Sequence, residues 1–249
     1  MGLYDVVEVC VVRGQRSINV TADGFGVPSG RENAAYAVAK WFVDELGLDS
    51  VSIDIRVRKG VPPSAGLGSS GATSAATAVA LAELFKPDVS PEELVKIAGL
   101  GEEHVAGAAH YDNVAASILG GFVLIDLYKM KFYRIEPKKR VDIVVVTPNT
   151  AQPYRKTEYA RAVLPKAVDL RTHVVQSSLV AKLVLALVTG DLELLGEAVS
   201  ADLIAEPYRS KLIPYYNELK KLAIESGALG FNISGAGPSV FAIVRDEAS

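Results

Sequence analysis

The sequence predicts mixed helices and strands in two α+β domains, and three stretches carry that prediction. Residues 51–58 (VSIDIRVR) alternate apolar and polar side chains, the period of a half-exposed strand. Residues 61–80 (VPPSAGLGSSGATSAATAVA) pass from a Gly- and Ser-rich loop straight into an alanine-rich helix. Residues 141–147 (VDIVVVT) start an apolar strand just after a junction at Pro137. At 249 residues the chain is long enough to bury one large core or two smaller ones.

The remaining elements follow in order. Residues 4–12 (YDVVEVCVV) read as a strand, then a polar turn and an edge-like segment reach Val20. Residues 31–47 carry apolar side chains at helical spacing up to Gly47, a C′ glycine. After the 51–58 strand and the loop, a helix is predicted over 69–85. Ser90-Pro91-Glu92-Glu93 combines an N-cap, an N1 proline and an acidic first turn, so a helix starts there and runs to about Ala109. Gly120-Gly121 ends a short helix before a strand at 122–128, and a hairpin-like segment to Pro137 divides the chain into 1–137 and 138–249. Beyond the 141–147 strand, helices are expected at about 155–164, 171–189, 191–204 and 212–226. The segment ALGFNIS, the turn Gly235-Ala236-Gly237-Pro238 and the strand SVFAIV come last.

Composition narrows the function. With 49% hydrophobic and 22% charged residues, the chain reads as a soluble globular protein. A net charge of −3 without a Lys/Arg block offers no footprint for nucleic acid or a membrane surface. No apolar run reaches the ~18 residues of a membrane span, and the N-terminus lacks a signal-peptide layout. Cys10 is the single cysteine, so neither a disulfide framework nor a cysteine metal site is expected. A cytoplasmic protein is the expectation.

The loop at 61–71 is the main candidate site. Gly66 and Gly68 permit a tight turn and a close ligand approach, and a helix N-terminus presents unpaired N–H groups and a positive dipole end to a phosphate. A ligand-free glycine helix cap fits the same residue types. A Walker A loop does not, because no Lys follows the glycines. Gly66, Gly68 and Gly71 spell G-x-G-x-x-G, but the preceding strand alternates and no second strand with an acidic residue follows at the dinucleotide spacing. The protein-kinase glycine loop joins two strands, whereas this one joins a strand to a helix. The run resembles the phosphate loop of the GHMP kinases, roughly P-x-x-x-G-L-G-S-S-A-A. Pro62, Gly66, Leu67, Gly68, Ser69 and Ser70 match, and Gly71 stands where Ala is usual. The resemblance implies ATP bound along Pro62, Ser64, Ala65, Gly66, Leu67, Gly68, Ser69, Ser70 and Gly71.

A second constellation is Gly101-Glu102 followed by HYDNVAASILGGF at 110–122. Read from residue types, Asp112 or Asn113 suits an N-cap of the short helix. His104 and His110, six apart, fall on different helix faces and make no metal pair. The segment resembles H-x-D-N-V-A-x-x-x-x-G-G-F of the homoserine kinases among the GHMP kinases. That resemblance implies Mg²⁺ on Glu102 and the Ser70 hydroxyl, a set that suits a hard cation keeping most of its ligands as water and phosphate. It also implies that Asn113 orients the substrate hydroxyl, with His110 and Asp112 beside it. The neighbouring Glu103 is read as solvated. Asp112 is a candidate general base by chemistry; the resemblance points instead to Asn113, with the proton passing to the phosphate.

Three further segments extend the resemblance. KTEYARAVLPKAV at 156–168 supplies Arg161, and AEPYRSKLIP at 205–214 supplies Arg209. Paired guanidinium forks suit a carboxylate, and homoserine carries one. Ser234–Ser239 (SGAGPS) matches the family's third motif, so Gly235 and Gly237 join the nucleotide site. The resemblance implies a two-domain fold, with a sheet-and-helix nucleotide domain and a ferredoxin-like C-terminal domain enclosing the substrate in a cleft. The implied activity is ATP-dependent phosphorylation of L-homoserine in threonine biosynthesis by a cytoplasmic enzyme, and because family members are often dimers the resemblance implies a homodimer. The alternatives are another GHMP small-molecule kinase, of mevalonate or sugar type, and a non-catalytic ligand-binding paralogue. Two departures stand out. The family's opening P-A-S-x-A-N-L-G-x-G-x-D motif is not matched ahead of MGLYDVVEV, so its Asn and Asp are not assigned. A helix and closing strand expected after the last strand are not matched after RDEAS.

Overall fold

The computed structural model describes residues 2–149 and 156–245. It divides into two compact units, Met1–Pro63 with Gly68–Arg134 and Ser64–Leu67 with Ile135–Ser249. Four residues of the glycine loop thus group with the second unit.

The first unit is built on a three-stranded sheet. Strand β1 (Val6–Arg13) pairs antiparallel with β3 (Val51–Arg58), and β2 (Ser17–Asp23) pairs parallel with β3 on its other edge. The edge position read for the second segment holds, but its neighbour is β3 and not β1. The alternation of β3 is realised, with Ile53, Ile55 and Val57 buried and Arg56 and Arg58 exposed. Four helices complete the unit: α1 (Ala34–Glu45), α2 (Ser69–Phe85), α3 (Pro91–Ala106) and α4 (Tyr111–Leu119). The hairpin β4 (Phe122–Asp126) and β5 (Lys131–Ile135) follows.

Helix α2 covers its predicted span residue for residue. Ala75, Ala78 and Ala82 are buried, and these small side chains let α1, α3 and α4 pack around it. Large side chains from the neighbours, among them Phe42, Val95 and Val114, fill the core with Leu81 of α2 itself. Helix α3 begins where expected, with Ser90 Oγ accepting from the Glu93 N–H, but it ends at Ala106. Gly107, at φ 74, caps it in the left-handed conformation that glycine tolerates. Asn33 caps α1, and a short 3-10 turn at Gly30–Glu32 occupies the start of the predicted 31–47 helix.

The second unit has an antiparallel sheet, β6 (Asp142–Val146), β8 (Val240–Val244) and β7 (Gly230–Ile233), in the order β6-β8-β7. Its helices are α5 (Lys156–Ala162), α6 (Leu170–Thr189), α7 (Leu192–Ser200), α8 (Glu206–Arg209) and α9 (Tyr216–Glu225). Asp169 and Asp191 cap α6 and α7. Helix α9 starts later than the predicted 212 because a 3-10 turn at Ser210–Leu212 and Pro214 intervene. Ile213, Tyr216, Phe231, Ile233, Val240 and Ala242 form the core of this unit. Helix α7 lies directly on β7, since a Cβ on Gly196 would sit 2.0 Å from the Leu229 carbonyl oxygen.

Helix α6 qualifies one expectation from the sequence: by length and composition alone, its 20 residues are apolar enough to cross a membrane. In the fold it packs against α7, and Lys182 on α6 pairs with Glu197 on α7 at 3.2 Å.

Candidate functional site

In the first unit the site is built around the start of α2. Gly68 is its N-cap at φ 73, and no side chain caps the helix. The N–H groups of the first turn therefore lack the side-chain acceptor that caps α1, α3, α6 and α7. Ser69 is used differently from the sequence expectation. Its buried hydroxyl donates to the Val61 carbonyl at 2.7 Å and so ties the two feet of the loop together.

Glu102 lies on α3, only 3% exposed, with its Oε1 buried and without a hydrogen-bond partner. Burial pushes its carboxyl above the ordinary value, and the charge of Asp112 adds to this. A hydrogen bond from Ser70 and the charge of Lys59 pull the other way. An isolated buried carboxylate oxygen is costly, and a hard cation is the partner such an oxygen lacks. The donor set, a carboxylate hydrogen-bonded by a serine hydroxyl, fits Mg²⁺. Glu103, the adjacent carboxylate, is exposed, as read from the sequence. Among the described residues no cluster of three His, Cys, Asp or Glu side chains forms a metal site, so any cation here leans on few protein ligands.

The 110–122 segment differs from its residue-type reading. His110 is the N-cap of α4, without a side-chain cap bond, and Asp112 and Asn113 lie inside the first turn. Asp112 is exposed and its Oδ1 accepts from the Asn113 N–H at 3.0 Å. Asn113 lies against the glycine loop: a Cβ on Gly68 would meet its Oδ1 at 2.8 Å, and one on Gly71 would meet its Cβ at 2.7 Å.

Sequence reasoning missed the charges beneath the loop. Lys59 and Asp5 form an ion pair with side chains 3% and 0% exposed. Burial alone would raise the Asp5 carboxyl, but donors from Lys59, Thr73 and the Val61 N–H bring it below the ordinary value. Burial lowers the Lys59 ammonium, while Asp5 and Glu102 hold it up. The available signal was a lysine at the junction between an alternating strand and a glycine loop.

In the second unit, the middle of the loop meets the third glycine motif. Gly66 (φ 81) accepts from Ser234 Oγ at 2.8 Å, and the Ser239 N–H donates to the Ala65 carbonyl at 3.2 Å. A Cβ on Gly66 would lie 2.2 Å from the Ser234 carbonyl oxygen and 2.6 Å from that of Gly237. Arg209 donates through Nε to the Ala160 carbonyl at 3.1 Å and through Nη1 to the Gly235 carbonyl at 3.0 Å. Burial lowers the Arg209 guanidinium, and the nearby Arg161 charge lowers it further, against a partial offset from Asp202. The two arginines are thus close enough for each charge to act on the other. Gly235 and Gly237 stand beside Gly66, and Gly235 links Arg209 to it.

Comparisons with known proteins identify the family. Residues 33–121 match the GHMP kinases N terminal domain, and residues 183–249 match the GHMP kinases C terminal domain. The homoserine kinase of Aeropyrum pernix is 42% identical, over 96% of this chain and 78% of its own length. That of Pyrococcus abyssi is 37% identical, over 98% of this chain and 80% of its own. The crystal structure of homoserine kinase from Cytophaga hutchinsonii superposes with a TM-score of 0.84 at 32% identity, covering 97% of this chain and 76% of that one. A mevalonate kinase from L. major shares the fold, with a TM-score of 0.72 at 20% identity. The chain belongs to the GHMP kinase family, and within it groups with the homoserine kinases.

Proposed function

We propose that the chain transfers the γ-phosphoryl group of ATP to the side-chain hydroxyl of L-homoserine, giving O-phospho-L-homoserine for threonine biosynthesis. The observation that supports this reading is Arg209 held on the Ala160 carbonyl beside Arg161 in the second unit, where two guanidinium groups would suit the carboxylate of an amino-acid substrate. Identity to homoserine kinases along nearly the whole chain supports the same substrate.

Phosphoryl transfer passes through a loose transition state that proteins help mainly by positioning and charge neutralisation. The uncapped N–H groups at the start of α2 hold the phosphates, aided by the positive end of the helix dipole. Glu102 and Ser70 would hold Mg²⁺, which when bound neutralises charge on the phosphate oxygens. Asn113, seated against Gly68 and Gly71, orients the attacking hydroxyl, and His110 lies beside the substrate. Asp112 is exposed and bonded to its own backbone neighbour, a poor setting for a general base, so the hydroxyl proton passes to the phosphate. Residues 1–137 thus serve the nucleotide and residues 138–249 the substrate carboxylate.

An ADP-release assay with homoserine, mevalonate and galactose tests the assignment. Turnover with homoserine alone is the expected result. Turnover with mevalonate or galactose instead would replace the substrate, and ATP binding without ADP formation would make the chain a ligand-binding paralogue. The chain lacks a basic block for nucleic acid or a membrane surface, which supports a cytoplasmic small-molecule enzyme. Light scattering on the purified chain tests the homodimer that the resemblance implies.

A further inference from the structure

We propose that Asp5, Lys59 and Thr73 form a positioning device that sets the phosphate loop before ATP arrives. This rests on the loop holding the phosphates, as proposed above.

The network is closed and buried. Lys59 Nζ donates to Asp5 Oδ2, to the Ser69 carbonyl at 2.9 Å and to Thr73 Oγ1 at 2.9 Å, which uses all three ammonium donors. Asp5 Oδ2 also accepts from Thr73 Oγ1 at 2.6 Å, and Oδ1 accepts from the Gly60 and Val61 N–H groups, each at 3.0 Å. These bonds join the residues just ahead of β1, the exit of β3 and the first turn of α2. Both feet of the loop, Val61 and Ser69, are therefore held by the same two side chains, and Ser69 Oγ closes on the Val61 carbonyl. An independent contact braces the same point. A Cβ on Gly60 would lie 2.1 Å from the Tyr4 carbonyl oxygen, so the backbone leading into Asp5 rests directly on the exit of β3.

A buried ion pair is a poor way to add stability, because the desolvation of both charges offsets their attraction. Its value lies in geometry: three donors and two oxygens fix one arrangement and penalise others. Phosphate binding by main-chain amides depends on that arrangement, since the amides must converge on the phosphate oxygens without reorganisation. Lys59 and Asp5 thus act through the loop and do not touch substrate.

The test uses the full chain with the variants Thr73→Val and the double variant Asp5→Asn/Lys59→Met. The first removes the bridging hydroxyl at nearly constant shape; the second removes both buried charges together. ATP affinity in the presence of Mg²⁺ is measured by calorimetry without homoserine, alongside KM for each substrate and thermal unfolding. A misplacement of about 1 Å can cost ~10²-fold, so ATP affinity is expected to weaken about 10-fold in the double variant and several-fold in Thr73→Val, with KM for homoserine within about 2-fold. Folded variants that bind ATP within about 2-fold of the parent chain would overturn the inference, whatever their unfolding temperature. If the double variant does not fold, Thr73→Val decides by the same criterion. A parent chain that binds no ATP overturns the phosphate-loop reading and this inference with it.

Discussion

Replacing Glu102 with Gln should make the metal-free protein more stable and the enzyme much slower. Glu102 is 3% exposed, and its buried Oε1 has no hydrogen-bond partner. Leaving a buried polar group unsatisfied costs about 1–3 kcal/mol, and more when it is charged. Ser70 and Lys59 offset part of this, so a gain of about 1–3 kcal/mol is expected without Mg²⁺. For a chain of this size that corresponds to about 2–4 °C in Tm per kcal/mol. The sign with pH follows from the raised carboxyl. A folded-state pKa above the ordinary 4.5 means that the protonated form suits the fold. The wild-type chain therefore loses stability as pH rises through the folded value, whereas the Gln variant does not. The gap should vanish below about 4.5, where the carboxyl is neutral in both states, and grow as pH rises through the raised folded value. With Mg²⁺ and ATP the order should reverse, because only the carboxylate gains from the cation. Turnover should fall about 10²–10³-fold, as when one transition-state charge stabiliser is removed. Thermal unfolding at several pH values, with and without Mg²⁺-ATP, checks the first part, and steady-state kinetics checks the second. A Gln variant no more stable than wild type without metal, or active within a few-fold, would refute the reasoning.

Asp112→Asn should lower turnover by less than about 10²-fold, the low end of general-base contributions. A larger loss at unchanged KM for homoserine would make Asp112 the base. Arg209→Met should raise KM for homoserine more than KM for ATP, by about 10–10²-fold for a buried charge-assisted pair lost at about 1.5–3 kcal/mol. Equal effects on both substrates would show that its bonds to Ala160 and Gly235 matter more than the carboxylate. Gly66→Ala should cost about 1–2 kcal/mol from its positive φ alone, and more from the collision with the Ser234 and Gly237 carbonyls. Calorimetric ATP affinity within about 2-fold of the parent chain, well short of the ~10²-fold that a 1 Å misplacement can cost, would count against a tight loop.

Much of the fold is legible because its signals are local. The alternation of 51–58, the glycine-to-alanine switch at 68–72 and the Ser90-Pro91 start each depend on backbone preferences that neighbours do not override. The helix at 155–164 falls partly on residues 150–155, outside the described part, and its observed span begins at Lys156. Strand order was not legible: nothing within 4–23 says that β3 separates β1 from β2, since pairing is decided by distant segments.

The site divides along the same line. The residue types and spacing of the phosphate loop, Glu102, Asn113, Arg161 and Arg209 are written in the chain, because each chemistry needs a particular side chain on a particular element. Tertiary structure alone decided that Ser69 closes the loop, that Asp112 and Asn113 are not caps, and that Arg161 and Arg209 stand together. It also decided that Asp5 and Lys59, 54 residues apart, meet under the loop. Burial and charge pairing are properties of what the folded chain brings together, and no local pattern encodes them.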